Sequence, residues 1–301
     1  MTTSPCGQPI QPIPELDLAL ITGSAHWGLR FPEDAGLPGV RVLSRDVSHE
    51  TAHGISENWK LLEFDGSMTP DGHPRRALCM YSHGNPRDWI DHSCHRRAFA
   101  VLQAAGVRRV LASSTIGSLN RAIRVGDFVI NADIIELTQT PYSLLPGRQR
   151  FDCSGKQIVC PACADILAET ARRHWPASAR VHGVDSGLVA AHAYGPRLTT
   201  PAEVIAYRNL GADIINHSIA PEATLAREIG ACFVPCAFVT AGFNDYFRPA
   251  GMSILQEGVL EGLSPIASRV ALEAAARLPL GTECLCQSLK SGQPDDRYLR
   301  F

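Results

Sequence analysis

The sequence lacks the features that would place the protein in a membrane or on a nucleic acid. None of its apolar runs approaches the ~20 residues that a membrane-spanning helix requires. Its 28 lysine and arginine residues nearly balance 30 aspartate and glutamate residues, which gives a formal net charge of -2. This balance argues against a nucleic acid or an anionic membrane as the main partner, so small ligands are the better candidates.

Export and metal-binding signals are also missing. The first 17 residues have neither the basic nor the apolar region of a signal peptide, and we therefore expect a cytoplasmic protein. The ten cysteines lack the regular spacing of a disulfide scaffold, which favours free thiols. Cys160 and Cys163 have half of a zinc-knuckle spacing, but no second pair follows at the right distance, so no metal site is assigned.

Composition and hydrophobic pattern together predict a single α/β domain. The chain has 301 residues, of which 45% are hydrophobic and 19% charged, as in ordinary globular proteins. Patterns typical of strands and helices alternate without a linker-like break, which favours a central mixed β-sheet flanked by helices. We expect this domain to span residues 18–280, between a flexible arm at residues 1–17 and a polar tail at residues 281–301.

The element boundaries follow from apolar runs, helical spacing and the positions of proline and glycine. Strands are predicted at residues 18–22, 40–43, 59–64, 78–81, 107–112, 127–130, 134–135, 212–215 and 232–240, with one or two more within residues 181–193. Helices are predicted at residues 92–105, 161–175, 201–211, 221–230 and 253–278, the last with or without a break at Pro265.

Four short segments end predicted strands with small hydroxyl, histidine or glycine residues. They are residues 23–24, 82–84, 113–115 and 216–218. Hydroxyl groups and backbone N–H groups beside glycine bind phosphate, and α/β folds hold ligands at the ends of their strands. A single such segment is more typical of a cap or a turn. The glycine-bounded turn at residues 23–28 matches neither dinucleotide nor Walker motifs.

The order of these segments, with the motifs between them, resembles the trimeric purine nucleoside phosphorylases, in particular the methylthioadenosine phosphorylases. The further motifs that are similar to the family's are Gly117-Ser118-Leu119 through Gly126-Asp127, Pro141-Tyr142-Ser143, Gly195-Pro196-Arg197-Leu198, and Gly211-Ala212-Asp213 through Glu222. The resemblance extends over residues 18–277 and is firmest over residues 107–240. It implies the nucleoside phosphorylase-like fold.

The resemblance also implies a reaction and its residues. In such enzymes phosphate attacks the anomeric carbon of a purine nucleoside while the N-glycosidic bond breaks, with phosphate as co-substrate and no cofactor. The matching phosphate-binding positions are Ser24, His83, Ser114, Thr115 and Ser218; those at the sugar and base are Tyr194, Thr199 and His217; and the candidates for assisting the departing base are Asn244 and Asp245. A homotrimer is expected, with residues 138–147 at the interface.

This sequence departs from the family pattern at several of these positions. Ser82 stands where the family has the arginine that binds phosphate, and a hydroxyl cannot replace a bidentate guanidinium. His217 replaces a methionine beside the sugar, Tyr194 replaces a glutamate, and no acid or amide directly follows Thr240. We hypothesise that His217 determines sugar recognition.

Three functions remain open at this point. The first is phosphorolysis of a purine nucleoside, including one with a modified 5′ position such as 5′-methylthioadenosine. The second is hydrolysis, or another reaction at the anomeric carbon, in a site without the phosphate arginine. The third is nucleoside binding without turnover. Arg30 and Arg87 are the candidates to supply the missing positive charge.

Other conspicuous residues have structural explanations. Glu203 follows Thr200 at the spacing of a capping box, so we interpret it as a helix cap. His26 and His92 are interpreted as hydrogen-bonded or solvated histidines without a catalytic role. The pair Cys284-Leu285-Cys286 is similar to a Cys-x-Cys pair that can be oxidised in some family members, although two adjacent thiols near a chain end are more often incidental.

Overall fold

Eleven strands and five helices make up the part of the chain that the structure describes. This computed structural model describes residues 3–26, 28–81, 92–138, 141–145, 153, 158–195, 197–249, 256–281 and 284–286, apart from the side chains of His92, Ser93 and Glu257. The strands are β1 (Leu18–Thr22), β2 (Val40–Thr51), β3 (Gly54–Phe64), β4 (Arg75–Tyr81), β5 (Arg109–Ser118), β6 (Phe128–Val129), β7 (Asp133–Ile135), β8 (Val181–His182), β9 (Val189–His192), β10 (Ile214–Asn216) and β11 (Cys232–Ala241). The helices are α1 (His92–Ala104), α2 (Pro161–His174), α3 (Pro201–Asn209), α4 (Ile219–Glu228) and α5 (Glu257–Arg277).

The strands form one mixed sheet in which β5 is the central member. The order along the main path is β2-β3-β4-β1-β5-β10-β9-β7, and β11 also pairs with β5. Strands β4, β1, β5 and β11 are parallel. Their carboxyl ends therefore lie at one edge of the sheet. The last two residues of β5 pair antiparallel with β10, which brings Gly117 opposite Ile215.

Two helix pairs cover the sheet and enclose the core. Helix α2 packs against α5, helix α1 packs against α4, and β11 contacts α2, α4 and α5. Strand β11 is buried at all ten positions, as expected for a strand covered on both faces. A smaller cluster of buried apolar residues lies beside the carboxyl end of β5 and includes Leu119, Val204, Phe243 and Tyr246.

Strand β2 forms one edge of the sheet, and the N-terminal segment lies along it. The β2–β3 hairpin contains several register shifts, and Asp46 has a φ of 53°. Ile10 forms a parallel bridge with Ser48, whose N–H donates to Pro9 O at 3.1 Å and whose carbonyl accepts from Gln11 N at 2.9 Å. The flexible arm at residues 1–17, the domain at residues 18–280 and the polar tail at residues 281–301 stay predictions. Of the tail, only residues 281 and 284–286 are described.

The predicted fold class is confirmed, but several element boundaries differ from the sequence analysis. Strand β5 runs on to Ser118 through the hydroxyl segment, because β11 pairs with it as far as Gly117. The strands predicted at residues 40–43 and 59–64 are parts of a longer hairpin. Helix α5 continues through Pro265 without a break. Its packing against α2 and β11 offsets the lost hydrogen bond and the steric clash that an internal proline causes.

Helix α4 begins two residues earlier than its proline predicted. The Asn216 side chain accepts from the N–H groups of Ser218 at 2.6 Å and Ile219 at 2.8 Å, so it satisfies donors at the start of the helix. Pro221 then lies in the first turn, where a backbone N–H has no partner within the helix, so the proline removes no helical hydrogen bond there. Among the helices of the described residues, none is long and apolar enough to cross a bilayer.

Candidate active site

Two hydroxyl groups predicted to bind phosphate meet just beyond the carboxyl end of β1. Ser24 begins a short 3-10 helix directly after β1, and Thr115 lies in β5. Their hydroxyl oxygens are 2.7 Å apart, and the N–H of Thr115 donates to Ser24 Oγ at 3.1 Å. The parallel pairing of β1 with β5 is what brings these two positions together from 91 residues apart in sequence.

Asn216 connects the remaining hydroxyls. From the end of β10, its amide Nδ2 donates to Thr115 O at 2.8 Å and to Ser114 Oγ at 3.2 Å. Its Oδ1 accepts from the buried hydroxyl of Ser218 at 3.0 Å. We call Ser24, Ser114, Thr115, Asn216 and Ser218 the hydroxyl cluster. The structure thus brings together four of the five predicted phosphate-binding residues, whereas His83 lies outside the described residues.

His217 lies next to the hydroxyl cluster and has a defined tautomer. Its ring Nδ1 is 2.6 Å from the carbonyl oxygen of Ala193, so Nδ1 carries the proton and donates it. Burial lowers the pKa of His217, and the positive charge of Arg197 lowers it further, against the opposing effect of the Ala193 bond. The neutral ring therefore presents Nε2 as a hydrogen-bond acceptor.

Tyr194 and Thr199 follow β9 on the same side of the sheet. Tyr194 is 49% exposed and comes directly after Ala193, the residue that accepts the His217 bond. Thr199 is half-buried and precedes the capping box of α3. Arg30, a candidate to supply positive charge, instead bonds Asp34 with its Nη2 2.7 Å from Oδ1, and its side chain is 82% exposed. Arg87 lies outside the described residues.

Asn244 and Asp245 occupy a 3-10 helix, Phe243–Phe247, directly after β11, where their roles differ. The Asp245 carboxylate is buried and accepts from Gly242 N at 2.7 Å and from Gln256 Nε2 at 3.1 Å, besides pairing with Arg248. These bonds engage Asp245 in holding its own turn. The Asn244 side chain is exposed.

A close approach at Gly117 positions this 3-10 helix against β5. A Cβ atom at Gly117 would lie 1.7 Å from the Tyr246 hydroxyl and 3.1 Å from Ile215. Any side chain at position 117 would therefore displace Tyr246 and, with it, the turn that holds Asn244. Close packing against Tyr246 thus explains the glycine of the Gly117-Ser118-Leu119 motif.

Some residues of the site were missed by sequence reasoning. The sequence analysis assigned no role to Asn216, although an asparagine between a strand and a helix is a recognisable capping signal. His26 is confirmed as a hydrogen-bonded histidine: Nδ1 donates to Ser268 Oγ at 2.7 Å, and Nε2 accepts from Ser113 Oγ at 2.6 Å. The Ser268 hydroxyl donates in turn to Ser264 O, which fixes this tautomer. The capping box of Thr200 and Glu203 is also confirmed.

The described residues line two cavities that are large enough for a ligand. One of about 500 Å³ lies where β1 and β4 end, and its lining includes Thr22, His26 and Tyr81. The other, of about 560 Å³, is lined by residues such as Leu37 and Arg277 and lies away from these strand ends. The lining of the first cavity includes no residue of the hydroxyl cluster; Thr22 and His26, each two residues from Ser24, are its lining residues nearest to the cluster in sequence. For metal binding, the described residues offer one group of thiols: Cys160, Cys232, Cys284 and Cys286.

The fold is that of an α/β enzyme, a class whose members bind their ligands at the ends of parallel strands. The chain belongs to the phosphorylase superfamily, whose family model matches residues 91–250. It is 32% identical over 224 residues to a probable 6-oxopurine nucleoside phosphorylase of Moorella thermoacetica, covering 71% of this chain and 81% of that one. It is 27% identical over 222 residues to a probable S-methyl-5′-thioinosine phosphorylase of Methanopyrus kandleri, covering 72% and 83%.

A solved structure supports the same fold. A methylthioadenosine phosphorylase from an antarctic soil metagenomic library superimposes with a TM-score of 0.71 over 94% of both chains, at 22% sequence identity. A methylthioadenosine phosphorylase from Schistosoma mansoni gives a TM-score of 0.67 at 21% identity over 91% of this chain and 95% of that one. The resemblance stated from the sequence is therefore confirmed for the family and for the fold.

Proposed function

We propose that the protein cleaves the N-glycosidic bond of a purine nucleoside with inorganic phosphate as co-substrate and without a cofactor. The observation that supports this most directly is the hydroxyl cluster, in which residues from three strand ends and the start of α4 are joined by hydrogen bonds. Hydroxyl groups and the N-terminal N–H groups of a helix are suitable phosphate donors. The names of the relatives point to the same substrate class.

The proposed reaction gives each of these groups a role. Ser24, Thr115 and Ser218 hold the phosphate, and one of its oxygens forms a bond to the anomeric carbon as the bond from that carbon to the purine nitrogen breaks. The electron pair of the broken bond leaves with the base. A hydrogen bond from the Asn244 amide, or from water beside it, stabilises the negative charge on the base until the base is protonated. Asp245 supports this step by holding the turn.

His217 completes the site on the sugar side. Because its Nδ1 is bonded to Ala193, its Nε2 accepts a hydrogen bond from a ribose hydroxyl. Tyr194 and Thr199 lie in the segment that follows Ala193 and contact the sugar or the base. The half-exposed ring of Tyr194 suits contact with a planar or apolar group.

The proposal is tested by measuring base release with and without phosphate. We expect inosine, guanosine, 5′-methylthioadenosine and 5′-methylthioinosine, used as a panel, to include a substrate whose cleavage requires phosphate. Ser218→Ala removes one buried donor and should raise the KM for phosphate about tenfold, which corresponds to roughly 1.4 kcal/mol. Ser67→Ala, at an exposed serine, is the matched control and should leave that KM unchanged.

Hydrolysis is the second candidate. The serine at position 82 favours it, since the family that the sequence resembles has its phosphate-binding arginine there. A hydrolase would release base at the same rate in phosphate-free buffer and would form free sugar in place of a sugar phosphate. That result would overturn phosphorolysis. Ligand-induced stabilisation without any product across the panel would instead indicate a nucleoside-binding protein.

We also propose a homotrimer, as the resemblance implies. Large apolar side chains are exposed in α3 and in the segments that follow β7, β9 and α3: Leu137, Tyr194, Leu198, Ile205 and Leu210. Helix α3 buries only Val204 fully, which leaves most of its surface for a partner. Within the segment after β7, Tyr142 bonds Glu136, and Leu144 N donates to Glu228 at the end of α4 at 2.7 Å, which attaches the segment to the subunit.

A further inference from the structure

Four cysteine thiols from three distant parts of the chain meet in one place. Cys160 is the N-cap residue of α2, Cys232 is the first residue of β11, and Cys284 and Cys286 follow α5. Their sulfur atoms all lie within 4.8 Å of one another, and the sulfurs of Cys232 and Cys284 are 3.1 Å apart. Three of the four residues are buried and the fourth is half-buried.

We propose that these four cysteines bind a structural zinc ion. Zinc with four thiolates is tetrahedral, with Zn–S distances of about 2.3 Å, which places the sulfurs about 3.8 Å apart. The observed separations bracket this value, so the thiols need to move by less than about 1 Å to close around the ion. A set of four soft sulfur ligands without carboxylates selects zinc over magnesium or calcium.

The charges around the group favour an anionic metal site. One zinc ion with four thiolates retains two negative charges. Arg227 is fully buried and contacts Cys286, while one of its nitrogens donates to Ile158 O at 2.6 Å. Arg109, also buried, is paired in register with Cys232. Two buried guanidinium groups therefore lie where two negative charges would form.

Cys163 adds a fifth thiol beside the four. It lies one helical turn after Cys160 and is hydrogen-bonded to it. A thiol in this place can donate to a zinc-bound sulfur and so support the ligand, as partners of metal ligands commonly do. Of the Cys160–Cys163 pair, which has half of a zinc-knuckle spacing, the proposed site therefore uses only Cys160 as a ligand, and β11 and the segment after α5 supply the other three.

The proposed ion would fasten the end of the described chain to the core. After α5, the carbonyl groups of Leu278, Pro279 and Leu280 accept from Arg75 and Arg109 at 2.7–2.8 Å. Cys284 and Cys286 come next, against α2 and β11. Zinc therefore adds the last of a series of attachments, and its effect should be on stability and not on the chemistry of the hydroxyl cluster.

The first test is the metal content of the full-length protein. The protein is purified without chelators, and its metals are measured by inductively coupled plasma mass spectrometry. We expect about one zinc per chain. Cobalt exchanged into the site should give the sulfur-to-metal charge-transfer band and the intense visible bands of tetrahedral thiolate coordination. The double variant Cys284→Ala/Cys286→Ala should retain less than about one tenth of the zinc. These two residues lie outside the helices and strands, so the core should still fold.

Cys236→Ala is the matched control, because Cys236 is a buried thiol on the same strand, about 13 Å along from Cys232. It should retain about one zinc per chain. The proposal is overturned if the wild-type protein holds no zinc and its peptides show disulfides among these cysteines, if it holds iron instead, or if the double variant binds as much zinc as the control.

Discussion

At the scale of single residues, the tautomer of His217 indicates how this side chain would recognise the sugar: Nε2 is the atom that accepts a hydrogen bond. A methionine at this position loses the bond to Ala193 and offers no acceptor to a ribose hydroxyl. We predict that His217→Met reduces discrimination between ribose and 2′-deoxyribose nucleosides, by roughly 1–3 kcal/mol. The ratio of kcat/KM for the two sugars measures this. His73→Met, at an exposed histidine, is the control; an unchanged ratio in His217→Met would assign sugar recognition to other residues.

A second histidine makes stability depend on pH. Burial lowers the pKa of His26 from 6.5 to about 3, so below pH 6.5 the unfolded chain binds a proton that the folded protein does not. The free energy of unfolding therefore falls as the pH is lowered, by about 2 kcal/mol between pH 7 and pH 5 from this group.

We predict that His26→Gln lacks this part of the pH dependence. Urea unfolding at pH 7, 6 and 5 measures it as a smaller slope of stability against pH than in the wild type. His73→Gln should retain the wild-type slope, because that side chain is exposed. A slope in His26→Gln equal to that of the wild type would show that other groups are responsible.

At the scale of elements, Asn216 joins β5 to the start of α4. Asn216→Ala leaves the buried donors of Ser218 and Ile219 without their acceptor and should destabilise the protein by about 3 kcal/mol. Asn216→Asp keeps an acceptor toward α4 but turns a second oxygen toward Thr115 O and Ser114 Oγ, and its charge repels phosphate. We therefore predict a larger rise in phosphate KM for the Asp variant than for the Ala variant.

The measurements are urea unfolding and the KM for phosphate at a fixed nucleoside concentration. Asn120→Ala is the control, because Asn120 bonds Asp213 at 2.9 Å and Ala122 N at 3.0 Å, outside the hydroxyl cluster. It should lose some stability and keep its phosphate KM. Equal phosphate KM values in the Asp variant and the wild type would contradict a phosphate site at this cluster.

The elements also show where sequence reasoning reached its limit. The apolar run of β11 and the capping box of Thr200 are local signals: the first predicted β11 within one residue, and the second predicted the first residue of α3, which ends two residues earlier than expected. The extension of β5 through Ser113 depends on a partner strand more than 100 residues away, which no local pattern contains. The four thiols likewise come from separate elements, so their spacing along the chain did not reveal them.

The hydroxyl residues of the site could be predicted from the sequence, because their position after apolar runs is a local feature. Their connection through Asn216 was not, since it requires β5 and β10 to pair antiparallel while β1 and β5 pair parallel. The same limit applies to Asp245. Its residue type suggested acid chemistry, whereas its bonds to Gly242 and Gln256 become visible only in the folded turn.

At the scale of the whole molecule, the exposed apolar side chains make assembly testable. We predict that the wild-type protein is a trimer at micromolar concentration and that Leu137→Glu and Leu210→Glu dissociate it, because each places a charge in an apolar interface. These leucines are 61% and 57% exposed in the subunit. Light scattering coupled to size-exclusion chromatography measures the mass.

Leu43→Glu provides the control for added charge, since Leu43 is 42% exposed but lies on β2, at the opposite edge of the sheet. It should remain trimeric. A wild-type protein that elutes as a monomer, or a Leu43→Glu variant that dissociates like the other two, would contradict the proposed interface.

The bridge between Ile10 and Ser48 has a consequence for the colloidal behaviour of the protein. Unpaired backbone groups on an edge strand act as a template for pairing with other molecules, and here the segment around Ile10 occupies those of Ser48. Removing residues 1–11 should therefore leave enzyme turnover intact while heated solutions become turbid at a lower temperature. The deletion leaves Tyr81 and the other strand ends unchanged. If the shortened protein stays clear up to the wild-type temperature, the register shifts of β2 are enough to protect this edge from pairing.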